Sequence, residues 1–365
     1  MIEMTAKNII TEAEMLAIPA REISSPGKLT PDPMASVLIV TYNHEKFIRA
    51  AIDGVVKQAS GVNFELIIGE DRSTDNTLGI CLEYQRKFPE LIRIVTWQDN
   101  IGVNKNFFRI LGRARGKYIA LCDGDDYWTD PEKLAKQVAV LEQFPDTTLC
   151  GALALVQGEN TRVKCAVIKP YSIKEFYDPK DAIQKTLFHT STMLARKSSL
   201  RFRRAAFQVA YLDSYIRVLC AIHGKLVCLP DIVSVYRPHS GGIHIGASFR
   251  QNIRARSSLY HALVDLAGEK QAGLSDMRLD IASSICHIAV YEGRITRSRR
   301  VFHGVFLPLL RINKPAAFIL AFHVYCPTLY QWVKSLKNIF GYVHKLFLRK
   351  QKRDLLGHSR NSDSY

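Results

Sequence analysis

The chain has 365 residues, 47% of them apolar and 23% charged, which is ordinary for a folded soluble protein and enough for one large domain or two smaller ones. Its formal net charge of +16 is not ordinary and favours polyanionic partners: nucleic acid, acidic lipid headgroups or phosphorylated small molecules. Eight scattered cysteines (Cys81, Cys122, Cys150, Cys165, Cys220, Cys228, Cys286 and Cys326) form no CxxC pair and no metal-ligand spacing, so they read as reduced, mostly buried thiols of a cytosolic protein and not as a disulfide framework.

Residues 1–34 read as an extension that ends in the Pro-rich linker SSPGKLTPDPMA, with no basic start and apolar core of the kind a secretory signal needs. SVLIVTY (36–42) follows as a buried strand, and HEKFIRAAIDGVVKQ places Phe47, Ile48, Ala51, Ile52, Val55 and Val56 on one helical face. Strand and helix then alternate: FELIIGE (64–70), a helix over 75–88, LIRIVTW (91–97), a helix near 104–114, and KYIALC (117–122). The next helix, TDPEKLAKQVAVLEQF, has Asp130 as expected N-cap and Pro131 in its first turn. Strands with so few polar positions need both faces covered, which predicts an α/β fold with a mostly parallel sheet between helices. Right-handed crossovers bring the strand-to-helix loops to the carboxyl edge of that sheet, where such folds bind ligands.

Beyond residue 150 the pattern weakens. TSTMLAR (190–196) and KLVCLPDIVSVYR (225–237) read as strands, with a helix over YLDSYIRVLCAIHG between them and a Gly-rich loop, RPHSGGIHIGAS, after them. Helices are expected near 255–268 and 275–292. The stretch 294–353 contains many Lys and Arg residues and no Asp or Glu. No run reaches the roughly 18 uninterrupted apolar residues of a spanning helix.

The segment ALCDGDDYW sets three carboxylates within four positions directly after a buried strand. Like charges so close raise one another's pKa unless a cation sits among them. A hard divalent ion takes such oxygens together with substrate phosphates. An EF-hand starting at Asp123 fails, because its sixth position is Trp128 and not Gly, and its twelfth is Leu134 and not Glu. In GEDRSTDNT, the acidic pair Glu70-Asp71 can accept from a base N–H or a ribose hydroxyl, and Asp75 suits a helix cap. Asn43 in TYNHEKF suits a strand end or a cap equally well.

Together VLIVTYNHEKFIRAAIDGVVKQ, GEDRSTDNT, NIGVNKNFFR, GKYIALCDGDDYWTDPEKLAKQVAVLE and VYRPHSGG resemble the family-2 glycosyltransferases of GT-A fold, in order and spacing over about 35–245. The resemblance implies a nucleotide-diphospho-sugar donor, a Mg²⁺ or Mn²⁺ ion and transfer with inversion to a glycan or lipid-linked acceptor in surface polysaccharide assembly. It implies that Thr41, Tyr42, Asn43, Glu70, Asp71, Arg72, Asp123 and Gly124 line the nucleotide pocket, and that Asp123, Asp125 and Asp126 serve the metal. Glu70 stands where the family more often has Asp, and Arg72 where it has a small residue. Asp213 in YLDSY, which alone reads as a first-turn acid favoured by the helix dipole, becomes the candidate catalytic base. Arg237 and His239 are candidate lid contacts, while His189 and His244 read as incidental.

These readings divide the chain into an extension and linker (1–34), a GT-A domain (35–245), a helical extension (246–300), basic amphipathic helices (301–353) and a disordered tail (354–365). In TLYQWVKSLKNIFGYVHKLFLRK, Leu329, Trp332, Val333, Leu336, Ile339 and Phe340 form an apolar face, with Lys334, Lys337, Lys345 and Arg349 largely elsewhere. That pattern suits an anionic membrane surface, so the expected location is cytoplasmic and peripheral on the inner face of the cell membrane. Nucleic acid is not expected, since no recognised binding module accompanies the charge. Two other readings are a sugar nucleotidyltransferase, which needs a Gly-rich loop that TYNHEKF lacks, and a non-catalytic membrane-bound scaffold.

Overall fold

The structure, a computed structural model, describes residues 9–59, 61–158, 166–184, 187–242, 249–268, 273–274 and 277. Two compact units, 1–277 and 278–365, divide the chain, and the second lies outside the described residues. Also outside them are Cys165, Cys286, Cys326, His244, most of the helix expected over 275–292, and all of the basic amphipathic stretch and tail.

In chain order the elements are α1 (Glu12–Leu16), β1 (Arg21–Ile23), β2 (Ala35–Thr41), α2 (Ile48–Val56), β3 (Phe64–Glu70), α3 (Thr77–Lys87), β4 (Ile92–Thr96) and α4 (Val103–Leu111). There follow β5 (Tyr118–Asp123), β6 (Tyr127–Trp128), α5 (Lys133–Gln143), β7 (Thr147–Val156), β8 (Ala166–Ile168), α6 (Pro179–Gln184), β9 (Leu194–Arg196), α7 (Leu212–His223), β10 (Lys225–Tyr236) and α8 (Phe249–Ala267). The sheet runs β1-β4-β3-β2-β5-β9-β7-β10-β6, with β8 paired to β7 off this path. Its centre, β4-β3-β2-β5, is parallel, as the alternating pattern predicts. The sheet as a whole is mixed: β9 inserts antiparallel between β5 and β7, and β1, β6 and β8 also pair antiparallel.

Strand periodicity sorts the core into two layers. Val37, Ile39, Leu66 and Ile68 pack with Ile48, Ile52 and Val55 of α2, Ile80 and Tyr84 of α3, and Leu134, Val138 and Leu141 of α5. Leu38, Ile67, Ile119 and Leu121 face the other way, onto Phe107 and Phe108 of α4, Tyr215 and Leu219 of α7, and Leu259 and Leu263 of α8. Both faces of the sheet are therefore covered by helices. Helix α8 shares this core, and the first compact unit runs through Met277.

Three local readings change. The segment before β2 adds substance to the fold: β1 pairs with β4, and Met15 of α1 packs among the α4 side chains. Helix α5 begins at Lys133 with Glu132 at the cap position, because the Asp130 carboxylate accepts the Glu132 N–H at 2.9 Å and holds a turn ahead of the helix. Within 190–196 only Leu194–Arg196 is strand, since Thr190–Thr192 forms a 3-10 turn.

Candidate functional site

Strands β2, β3 and β5 end in register, with Thr41 opposite Glu70 and Val40 opposite Asp123, so their loops meet at one sheet edge. Backbone bonds join the loops: the Asp71 N–H donates to Thr41 O at 3.0 Å, and the Gly124 N–H to Val40 O at 2.9 Å. Asn43 staples the first loop to the second. Its Oδ1 accepts the Thr74 N–H at 2.8 Å, and its own N–H donates to Ser73 Oγ at 3.0 Å. Asn43 and Arg72 both hold left-handed backbone, with φ of 55° and 64°. Gly124 permits a close approach of the third loop to the first, because a Cβ there would lie 2.6 Å from Thr41 Oγ1 and 2.8 Å from His44 Nδ1.

The acidic pair at the end of β3 is turned inward. Buried Glu70 accepts from the Ser73 N–H at 2.6 Å and from Thr96 Oγ1 at 2.8 Å. Buried Asp71 accepts from the N–H groups of Ile101 at 3.0 Å and Gly102 at 2.8 Å, with the buried Arg109 guanidinium 3.8 Å away. Both carboxylates thus organise the loop walls, whereas Tyr42, Asn43 and Arg72 are exposed on them. The Arg72 Nε donates to Gln98 O at 3.1 Å.

Asp123, Asp125 and Asp126 each offer a carboxylate oxygen, and the three atoms lie within 4.8 Å of one another. Burial, then the charges of Asp125 and Asp213, push the Asp123 carboxyl up to about 8. Burial, then Asp125 and Asp123, push Asp126 well above the usual carboxylate range. Oxygen donors crowded in this way suit Mg²⁺ or Mn²⁺. Asp125 also belongs to a second group with His44 and His239 whose ligand atoms lie within the same 4.8 Å limit. Its Oδ2 is 3.1 Å from His239 Nε2 and 3.9 Å from His44 Nε2. Burial holds His44 below the usual imidazole range, against the pull of Asp125.

Arg237 buttresses the acidic loop from behind. Its N–H donates to Asp126 Oδ1 at 3.0 Å and its Nε to Asp125 O at 2.5 Å, while the guanidinium lies 5.0 Å from the Phe47 ring and 4.9 Å from the Tyr127 ring. His239 is buried, its ring 4.5 Å from that of Phe47. Asp213, in the first turn of α7, is close enough for its charge to act on both Asp123 and His189. Burial alone would raise its pKa, but Arg217, 2.8 Å from Oδ2, holds Asp213 below the usual carboxylate range and so ionised at neutral pH.

Residues 36–206 match the model of glycosyl transferase family 2. The chain carries a glycosyl transferase family 2 domain. An uncharacterized protein of Mycobacterium tuberculosis is 38% identical over 208 residues, covering 57% of this chain and 60% of that protein. A Bacillus subtilis protein named as a teichuronic acid biosynthesis glycosyltransferase, TuaG, is 30% identical over 162 residues, covering 44% and 62%. The chain thus matches about three fifths of the length of these relatives. Among solved structures, the mannosyltransferase PcManGT of Pyrobaculum calidifontis, in complex with GDP-Man and Mn²⁺, superposes with a TM-score of 0.51 at 16% identity, covering 90% of this chain and 89% of that one. That likeness shows the GT-A fold.

The acidic loop and the first two loops lie within the matched residues of the transferase domain, whereas Asp213, Arg237 and His239 lie beyond them. Two side chains of the site carry no sequence signal. His44 is one residue past Asn43 in a loop with no metal-ligand spacing, and His189, which reads as incidental, sits with Nδ1 3.5 Å from Asp126 Oδ2. Burial drives His189 down to about 4, so it is neutral at physiological pH. The 3-10 turn ahead of β9, tied to Trp128 and to Ser234 through Ser191, brings it there.

Proposed function

We propose that the protein is an inverting, metal-dependent glycosyltransferase that moves a sugar from a nucleoside-diphosphate donor to a hydroxyl of a glycan or lipid-linked acceptor in surface polysaccharide assembly. One observation carries this reading: three carboxylates at the tip of β5 converge within 4.8 Å, on the edge where Asp213 is also felt. The donor class is supported by the GDP-Man held by PcManGT, and the polysaccharide setting by the name of TuaG.

In this reading Asp125, with Asp123 and Asp126, would hold Mg²⁺ or Mn²⁺, and His239 and His44 also converge on Asp125. When bound, such an ion neutralises charge that develops on the departing diphosphate. The chain's own groups do the rest. Tyr42, Asn43 and Arg72 border the nucleotide, and Glu70 and Asp71 hold the loops that present them. Asp213 takes the proton of the attacking acceptor hydroxyl, which approaches the anomeric carbon opposite the leaving group, so a single displacement inverts the centre.

The test is hydrolysis or transfer of a panel of nucleotide sugars with Mn²⁺ present and absent. Asp213→Asn should lower kcat by about 10²–10⁴ with little change in donor KM, and Asp125→Ala should abolish the Mn²⁺ response. Turnover indifferent to chelation and to both substitutions would remove this reading.

A further inference from the structure

A second charged site lies at the opposite edge of the sheet. Residues before β2, before β5 and from the end of β9 onward line a hollow of about 690 Å³ that contains Arg115, Lys117, Arg196, Lys197 and Arg201 against one acid, Asp32. Lys117 precedes β5 and Asp123 ends it, so roughly 20 Å of strand separates the hollow from the carboxylates. The antiparallel pairing of Tyr118 with Arg196 brings the two basic segments together.

These cations are unevenly answered. Arg115 meets Glu65 at 2.8 Å, and Lys117 meets Glu142 at 2.5 Å. Arg196 is fixed by neutral groups: its Nε donates to Thr147 O at 2.7 Å, its Nη1 to Tyr118 Oη at 3.2 Å, and its Nη2 to Leu141 O. The Lys197 Nζ donates to Ala114 O at 2.6 Å, with Glu12 3.9 Å away. Arg201 is exposed and has no hydrogen bond or ion pair among the described residues. A guanidinium held by carbonyls keeps its whole charge and a preset orientation, which is the arrangement that favours an anion from outside.

We infer that this hollow binds a phosphate-bearing anion. No aromatic side chain lines it and Pro33 is its one apolar member, so nothing there stacks a base or grips an acyl chain. Of its three arginines, Arg201 keeps its forked donors open to phosphate oxygens, while Arg115 and Arg196 add charge from fixed positions. The phosphate is that of a lipid headgroup or of a soluble phosphate ester, and its site is separate from the donor edge.

Titration calorimetry of pyrophosphate into the full chain, with a chelator present to silence metal-dependent binding at Asp125, tests the inference. Arg201→Glu with Lys117→Gln should weaken binding at least tenfold at an unchanged melting temperature, Arg201→Gln should weaken it less, and Asp125→Ala should leave it intact. Phosphatidylglycerol vesicles that displace the pyrophosphate, where phosphatidylcholine vesicles do not, identify the headgroup as the source; no displacement identifies a soluble ester. Undetectable pyrophosphate binding, or binding that survives Arg201→Glu with Lys117→Gln, overturns the inference.

Discussion

Asn43 is a residue whose backbone and side chain act for the same end. A left-handed conformation costs most L-residues roughly 1–2 kcal/mol, and asparagine less than most; here its side chain also accepts the Thr74 N–H at 2.8 Å. Asn43→Ala should therefore destabilise the protein by about 1–2 kcal/mol in denaturant unfolding. Asn43→Gly, which restores the backbone freedom but not the staple, should cost less. Equal losses in the two variants would deny the conformational part of this account. At this scale the sequence marked Asn43 only as a strand end or cap, and its left-handed backbone and its staple to Thr74 come from the fold. The sequence was silent about His44 and His189, because an imidazole has no local pattern and their partner carboxylates lie far away in sequence. Glu70 and Asp71 were legible as an acidic pair, but their inward direction depends on Thr96 and on the 101–102 amides, which only the fold supplies.

Among the elements, the strands of the parallel centre could be read almost to the residue, since an apolar run bounded by polar loops has few alternatives. Strand β7 could not, nor could the short β6 and β8, because strands of two or three residues carry no periodicity, and β9 was read four residues too long at its start. A buried charge pins the amino-terminal ends of the central strands. Glu65 of β3, fully buried, accepts from Ser36 Oγ of β2 at 2.7 Å, from Arg93 Nη1 of β4 at 2.9 Å and from Arg115 Nε at 2.8 Å. Burial would raise its pKa, yet the Arg115 amide, Ser36 and Arg93 together hold it below the usual value. A carboxylate lowered on folding stabilises fully above its unfolded pKa of about 4.3 and stops doing so as pH falls through the folded value. Glu65→Gln should thus cost about 3–5 kcal/mol at pH 7, with the gap to the unsubstituted protein narrowing as unfolding is measured at progressively lower pH below 4. A gap independent of pH would show that the charge of Glu65 contributes nothing.

For the whole molecule, the charge of +16 divides by place more than by composition. Three aspartates converge at the carboxyl edge of the sheet, and five bases line the hollow at the amino edge. The remaining concentration of Lys and Arg, in 294–353, lies outside the described residues and is accounted for by the proposal of a peripheral membrane surface. No helix among the described residues is long and apolar enough to cross a membrane. Replacing Lys334, Lys337, Lys345 and Arg349 by Gln in the full chain should abolish co-sedimentation with vesicles rich in phosphatidylglycerol, and retained co-sedimentation would refute that proposal. The antiparallel pairing of β6 with β10, which brings Arg237 and His239 to the acidic loop, was the least legible part, since it joins segments more than a hundred residues apart. What unites the scales is the cation expected at the tip of β5. Anomalous scattering from a crystal soaked with manganese and a nucleoside diphosphate measures it directly. The account predicts a peak within about 2.5 Å of an Asp125 carboxylate oxygen with the diphosphate against it; manganese bound elsewhere, or a diphosphate bound without it, would contradict the account.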